Sequence, residues 1–138
     1  MIFLNQIVQL AKFYWAINYF YIDKKIDDVS ISITDTIGNL VRDYSILNNS
    51  LKVNIGTNRF IWDMNHNGAV PNETGIPPGP MALAGDYNIE LKIKRGKTET
   101  SLSGLIKLIK DPRTKATDSD LKEQFDLLSS INKYIYYK

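Results

Sequence analysis

Six residues near the middle of the chain, Asp63-Met64-Asn65-His66-Asn67-Gly68, place oxygen-bearing side chains at alternate positions ahead of a glycine. This is the start of the calcium-loop pattern D-x-[DN]-x-[DN]-G, in which hard oxygen ligands converge on one cation. The pattern is incomplete. Its twelfth position is Thr74, Glu73 stands one place early, and the flanks read as a strand and a Pro-rich loop instead of two helices. Asp63, Asn65 and Asn67 are therefore candidate ligands of a calcium site outside the EF-hand class. Calcium is the one cofactor the residues suggest.

Other chemistry is sparse. His66 is the only histidine, so it cannot join a second His on a metal. Its expected place is a solvated loop. A two-carboxylate glycosidase would need Asp63 and Glu90, but Glu90 falls on the outward face of a regular strand, where a raised pKa is not expected. We assign no catalytic residue. Trp62 offers a ring that could stack on a sugar. Alternation places it on the same face as Phe60, which is the pattern of a core. Lys92, Lys94, Arg95 and Lys97 gather at a hairpin tip. They read as a charged edge that resists strand-to-strand aggregation or as a patch for a nucleic acid or an anionic glycan. Trp62, His66, Lys92 and Lys94 are the candidate ligand contacts.

These residues need strands to hold them. Residues 29–35 alternate Val, Ile, Ile against Ser, Ser, Thr, the pattern of a strand with one wet face. Gly38 and Asn39 supply a turn into 40–45, which predicts a hairpin. Residues 13–22 are aromatic and β-branched and form an earlier strand. Tyr14, Trp15, Tyr19, Phe20 and Tyr21 lie on both of its faces, which predicts cover on the outer side by the terminal helix or a partner domain. Gly56 and Asn58 suit a turn ahead of a strand at 59–64, with a short strand possible at 51–54. Residues 65–85 read as a long Gly/Pro loop. Strands follow at 86–95 and 98–110. Pro112 ends the ladder region. Thr117-x-x-Asp120 then resembles a capping box, and Leu121, Phe125, Leu128, Ile131 and Ile135 recur at helical spacing.

The expected fold is mainly β: an immunoglobulin-like antiparallel β-sandwich over 14–112, preceded by a lead-in at 1–13 with a helical pattern and followed by a C-terminal α-helix at 113–138 that packs on it. The totals agree. The chain has 138 residues, 43% hydrophobic and 23% charged, and no cysteine. That length suits one domain, and the missing thiols remove disulfides and thiolate metal sites. Lys and Arg outnumber Asp and Glu by 17 to 15, too even a balance to argue for a nucleic-acid partner. No apolar run reaches the length of a membrane span. The start of the chain lacks the positive n-region of a signal peptide.

The order of motifs resembles a known pattern. Ile33-Thr34-Asp35 with Gly38, Val41 and Arg42, then Gly56 through Asp63, then Gly85-Asp86-Tyr87 is similar to the fibronectin/flagellar-hook-cap type of Ig-like domain. Asp111-Pro112-Arg113, Asp120-Leu121-Lys122-Glu123-Gln124-Phe125 and the Pro78-Gly79-Pro80 loop resemble the C-terminal region of bacterial sortilin-like (Asp-box, BNR-repeat) β-propeller proteins, labelled glycosyl hydrolases. The resemblance covers about residues 14–131 and has no counterpart of the propeller. It implies a non-catalytic accessory domain that docks on a β-propeller or another protein, with an extracellular or envelope address. The alternative is a carbohydrate-binding module whose 63–74 loop is organised by calcium.

Overall fold

The computed structural model describes residues 3–7, 16–69 and 78–136. Tyr14, Trp15, Glu73, Thr74 and the end of the chain after Tyr136 lie outside these. The alternating segments form strands as their patterns require, and other segments join them. They are β1 (Phe3–Ile7), β2 (Ala16–Ile22), β3 (Asp28–Asp35), β4 (Leu40–Ser45), β5 (Gly56–Trp62), β6 (Asn65–Asn67), β7 (Pro78–Met81), β8 (Gly85–Arg95) and β9 (Thr98–Leu108), followed by helix α1 (Asp118–Tyr136).

The strands form three antiparallel sheets, ordered β1-β2-β5, β4-β3-β8-β9 and β6-β7. The two larger sheets share one core. Phe20, Ile22, Phe60 and Trp62 come from the first; Val29, Ile31, Ile33, Tyr44, Tyr87, Ile89, Leu91 and Ile93 come from the second. Register makes this possible. Ile31 stands between Tyr44 and Leu91, so inward residues of three strands form one apolar row. Rings bridge the sheets edge-to-face: Trp62 to Tyr87 at 5.3 Å and Tyr44 to Phe60 at 4.9 Å.

Turn chemistry closes the hairpins. Asp35 accepts hydrogen bonds from the backbone of Ile37 and Asn39 and from the Asn39 amide, at 2.8–3.1 Å. Desolvation pushes its carboxyl up, but these donors prevail and hold its pKa below the ordinary value. Gly96, at φ 58°, turns β8 into β9. Arg95 ties that tip to the segment after β2 by pairing with Asp23 at 2.7 Å and bonding the carbonyls of Lys24 and Lys25.

Several expectations change. Phe3–Ile7 is a strand paired with β2, not part of a helical lead-in. Residues 51–54 stay outside any strand. The 65–85 segment holds two short strands instead of loop alone. Lys92 and Lys94 lie on β8, an interior strand of its sheet, so they mark a wet face and not an edge. The helix has β7 as its principal neighbour, not the outer side of β2. A bulge between Ile33 and Thr34 lets both Val41 and Arg42 turn inward, and Arg42 lies 5.1 Å from the Tyr44 ring centroid.

The β6–β7 ribbon depends on a small residue. A side chain at Gly79 would collide with the Asn67 carbonyl oxygen. Gly79→Ala is therefore expected to push the strands apart and cost about 1–3 kcal/mol in urea unfolding. An unchanged midpoint would mean that the ribbon does not close as described.

Candidate interaction surface between helix and ribbon

The chain leaves β5 through a tight, strained turn. Met64 takes φ 63°, a left-handed conformation that costs a residue with a Cβ about 1 kcal/mol. Three bonds hold it. The Asp63 carboxylate accepts the Asn65 N–H at 3.1 Å, the Trp62 indole N–H donates to the Asn65 carbonyl at 3.0 Å, and the Ala82 N–H donates to the Met64 carbonyl at 2.6 Å. The turn starts β6, and the Met64 side chain is buried beside the ribbon. Asn67 then fastens β6 to β4. Its amide donates to the Asp43 carboxylate at 2.6 Å, and its oxygen accepts the Asp43 N–H at 3.2 Å.

The helix begins where its sequence says it should. The Thr117 hydroxyl accepts the Asp120 N–H at 3.1 Å, and the Asp120 carboxylate accepts the Thr117 N–H at 3.0 Å, a reciprocal capping box. These bonds hold the Asp120 carboxyl below its usual pKa. Lys110 reaches Asp118 at 3.3 Å across the connection. Beside its packing on β7, the helix meets β6 at Phe125 and Asn132. Phe125 lies against the His66 ring, centroids 4.8 Å apart, and the Asn132 amide donates to the Asn67 carbonyl at 3.1 Å.

Between them is an open cavity of about 290 Å³, lined by Met64, Met81, Leu108, Leu121, Phe125 and Leu128, with Lys110, Asp111 and Gln124 also on its wall. It lies at the small end of ligand pockets, which run about 300–1,000 Å³. One or two apolar side chains suit it by size and lining. Its wall continues outward: Met81 is 49% exposed and Leu128 41% exposed.

The sequence-predicted residues divide. Trp62 is 0% exposed, so its ring has no free face on which a sugar could stack. Asp63 and Asn67 stand in the turn and the β4 tie, and Asn65 lends its carbonyl to Trp62. Among the described residues no group of three or more His, Asp or Glu side chains is placed to hold a metal. Lys92 pairs with Glu90 at 3.4 Å on the wet face of β8, and Lys94 is exposed opposite Asp28 and Glu99. The structure does not bring these lysines to the helix end.

His66 departs most from expectation. It is half-buried against Phe125 and not a solvated loop residue. Burial lowers its pKa below the ordinary 6.5, and the negative charge of Asp35 opposes that shift only in part. The unfolded chain thus binds a proton more readily than the folded one. Stability from this group is complete above pH 6.5 and is lost as pH falls through that value toward the folded pKa. The melting temperature is expected to fall between pH 7 and pH 5, less so in His66→Gln; equal pH slopes would count against this packing. The carboxylates with lowered pKa titrate below that window.

Sequence reading found the helix and its cap but missed the cavity. Its walls come from separate parts of the chain: the turn at Met64, Met81 with the segment after it, the end of β9 with the connection to the helix, and α1. The one local signal is a methionine in an otherwise polar segment at Met64 and another beside the prolines at Met81, since Met often fills irregular apolar gaps. No protein family, curated protein or solved structure matches the chain.

Proposed function

We propose that this chain is a non-catalytic interaction module on an immunoglobulin-like β-sandwich, and that it docks a partner protein at the helix–ribbon cavity. The observation that carries the reading is the cavity itself, apolar, open and continuous with exposed Met81 and Leu128.

Two features support the Ig-like class. The order β9-β8-β3-β4 corresponds to strands G-F-C-C′ of that architecture, with β1, β2 and β5 as A, B and E. Tyr87, near the start of β8, donates its hydroxyl to the Leu83 carbonyl at 2.5 Å, the arrangement of a tyrosine corner. The partner offers an apolar side chain to the cavity. A sortilin-like β-propeller is the partner that the motif resemblance supplies.

A photo-crosslinking residue at position 81, in the full chain expressed in its native host, tests the reading. It is expected to give one discrete protein adduct, absent when the crosslinker stands at exposed Lys107 on β9. Excess unmodified chain should compete the adduct away, and Met81→Arg chain should not. No adduct, or equal adducts from both positions, would overturn the proposal.

A further inference from the structure

Strand β9 stands at one end of its sheet, next to β8. It is 11 residues long and pairs with β8 from Thr98 to Leu108 without a bulge. Among the described residues no strand pairs with its other edge. β1 lies close to it, but the ladder of β1 is with β2. A long row of backbone N–H and C=O groups is thus left along β9. Natural edges of this kind are guarded by lysines, prolines or bulges. From Thr98 to Leu108 there is no proline, one acid, Glu99, and one base, Lys107. The two charges stand equally far from the middle of the strand, Ser103.

We propose that β9 pairs antiparallel with β9 of a second copy of the chain, about a two-fold axis at Ser103, joining two four-stranded sheets into one. An open ladder takes an extended strand, and alternate residue pairs exchange two hydrogen bonds each. Charge selects the occupant and the register. In this register the strands overlap along their whole length, and Glu99 of each copy meets Lys107 of the other. The pairing continues rows that each chain already holds. Lys94 stands beside both Asp28 and Glu99, and Asp86 beside Lys107. Joined, the row runs Asp28, Lys94 and Glu99, then Lys107 and Asp86 of the second copy, with the sign alternating at every step. Ser101 meets Leu105, a side chain 64% exposed in the single chain. On the inward side, exposed Thr98 and Thr100 meet Leu108 and Ile106.

Other pairings fit worse. A parallel one would set Glu99 against Glu99 and Lys107 against Lys107. At the free edge of the other sheet, β5 paired with itself over its whole length would set Arg59 against Arg59. β4 is already tied to β6 through Asp43 and Asn67. Each contact of the antiparallel β9 pair away from the axis occurs twice, as an isologous interface requires. One strand edge makes a small interface, so the dimer forms as concentration rises. The proposal goes beyond the cavity reading and rests on a separate observation.

The absence of cysteine gives a clean test of register. Under oxidised glutathione, Ser103→Cys chains are expected to link to themselves several-fold faster than Ser101→Cys chains, whose sulfurs would be offset along the ladder. Sedimentation of the unmodified chain should show mass rising from one chain to two with concentration. Glu99→Lys and Lys107→Glu should each raise the dissociation constant at least about tenfold, with unchanged circular dichroism spectra. An equal mixture of these two variants should dimerise several-fold more tightly than either alone, because both facing pairs again carry opposite signs. Met81→Arg should leave the dimer unchanged, which separates failure of this proposal from failure of the cavity reading. A two-chain adduct from a crosslinker at Lys107 belongs to this edge and differs in mass from the partner adduct at Met81. Three results would overturn the proposal: one-chain mass at every concentration, Ser101→Cys linking as fast as Ser103→Cys, or a mixture of the charge variants no tighter than either alone.

Discussion

Trp62→Ala is expected to destabilise the chain by about 3–5 kcal/mol, the range for removing a large aromatic side chain from a core. The ring is 0% exposed and packs edge-to-face on Tyr87. Its removal leaves a void between the two larger sheets and strips the Asn65 carbonyl of its indole donor. That second loss loosens the Met64 turn and so the start of β6. A domain with about 5–15 kcal/mol of stability would lose a large share of it. Trp62→Phe should cost less, because most of the buried area returns and only the hydrogen bond is missing. The readout is the urea midpoint at constant m. Less than about 0.5 kcal/mol for the alanine variant, a change typical of surface positions, would mean that the ring does not join the sheets.

Asn58→Ala should be the next most damaging change, at about 2–3 kcal/mol. Asn58 is buried on the inward side of β5, where an apolar residue would be expected. It works as a backbone clamp. Its oxygen accepts the Asn54 N–H at 2.8 Å, and its amide donates to the carbonyls of Asn54 at 2.7 Å and Gly56 at 3.1 Å. These bonds fix the turn in which Gly56 takes φ 105°. Alanine leaves three backbone groups to find new partners. Aspartate should be worse at neutral pH, because a carboxylate oxygen would face two carbonyl oxygens. Aspartate unfolding at or above the alanine midpoint would contradict this assignment of donors and acceptors.

The strands that could be read from sequence are those with one buried and one wet face. In β3 and β8 a slip of one residue would send Val29, Ile31, Ile89 or Leu91 into water, so pattern and structure coincide. Phe3–Ile7 misleads because Ile2, Phe3, Gln6, Ile7 and Leu10 fit a helical period, while pairing to β2 fixes the strand. Local sequence carries no trace of that long-range pairing. The ribbon is hidden by Pro78 and Pro80, which ordinarily argue against a strand and are tolerated in a short two-stranded piece. The helix shows a finer limit. Its cap and length were readable, but its rotation was not: Asn132 takes an inward position, and Ile131, expected in the buried stripe, stands 47% exposed. Rotation follows from the His66–Phe125 and Asn67–Asn132 contacts, and these join residues nearly half the chain apart.

The proposed docking is at the helix–ribbon end and not on the Ser/Lys face of β3, β8 and β9. Amide hydrogen exchange, on the chain alone and with the partner recovered by crosslinking, tests it most directly. Slowed exchange at Asn65–Asn67, Met81–Ala84 and Leu121–Leu128, with no change at Ser30–Ser32, Lys92–Lys94 and Ser101–Ser103, is the predicted footprint. Slowing confined to the second group would contradict the claim and return attention to Lys92 and Lys94.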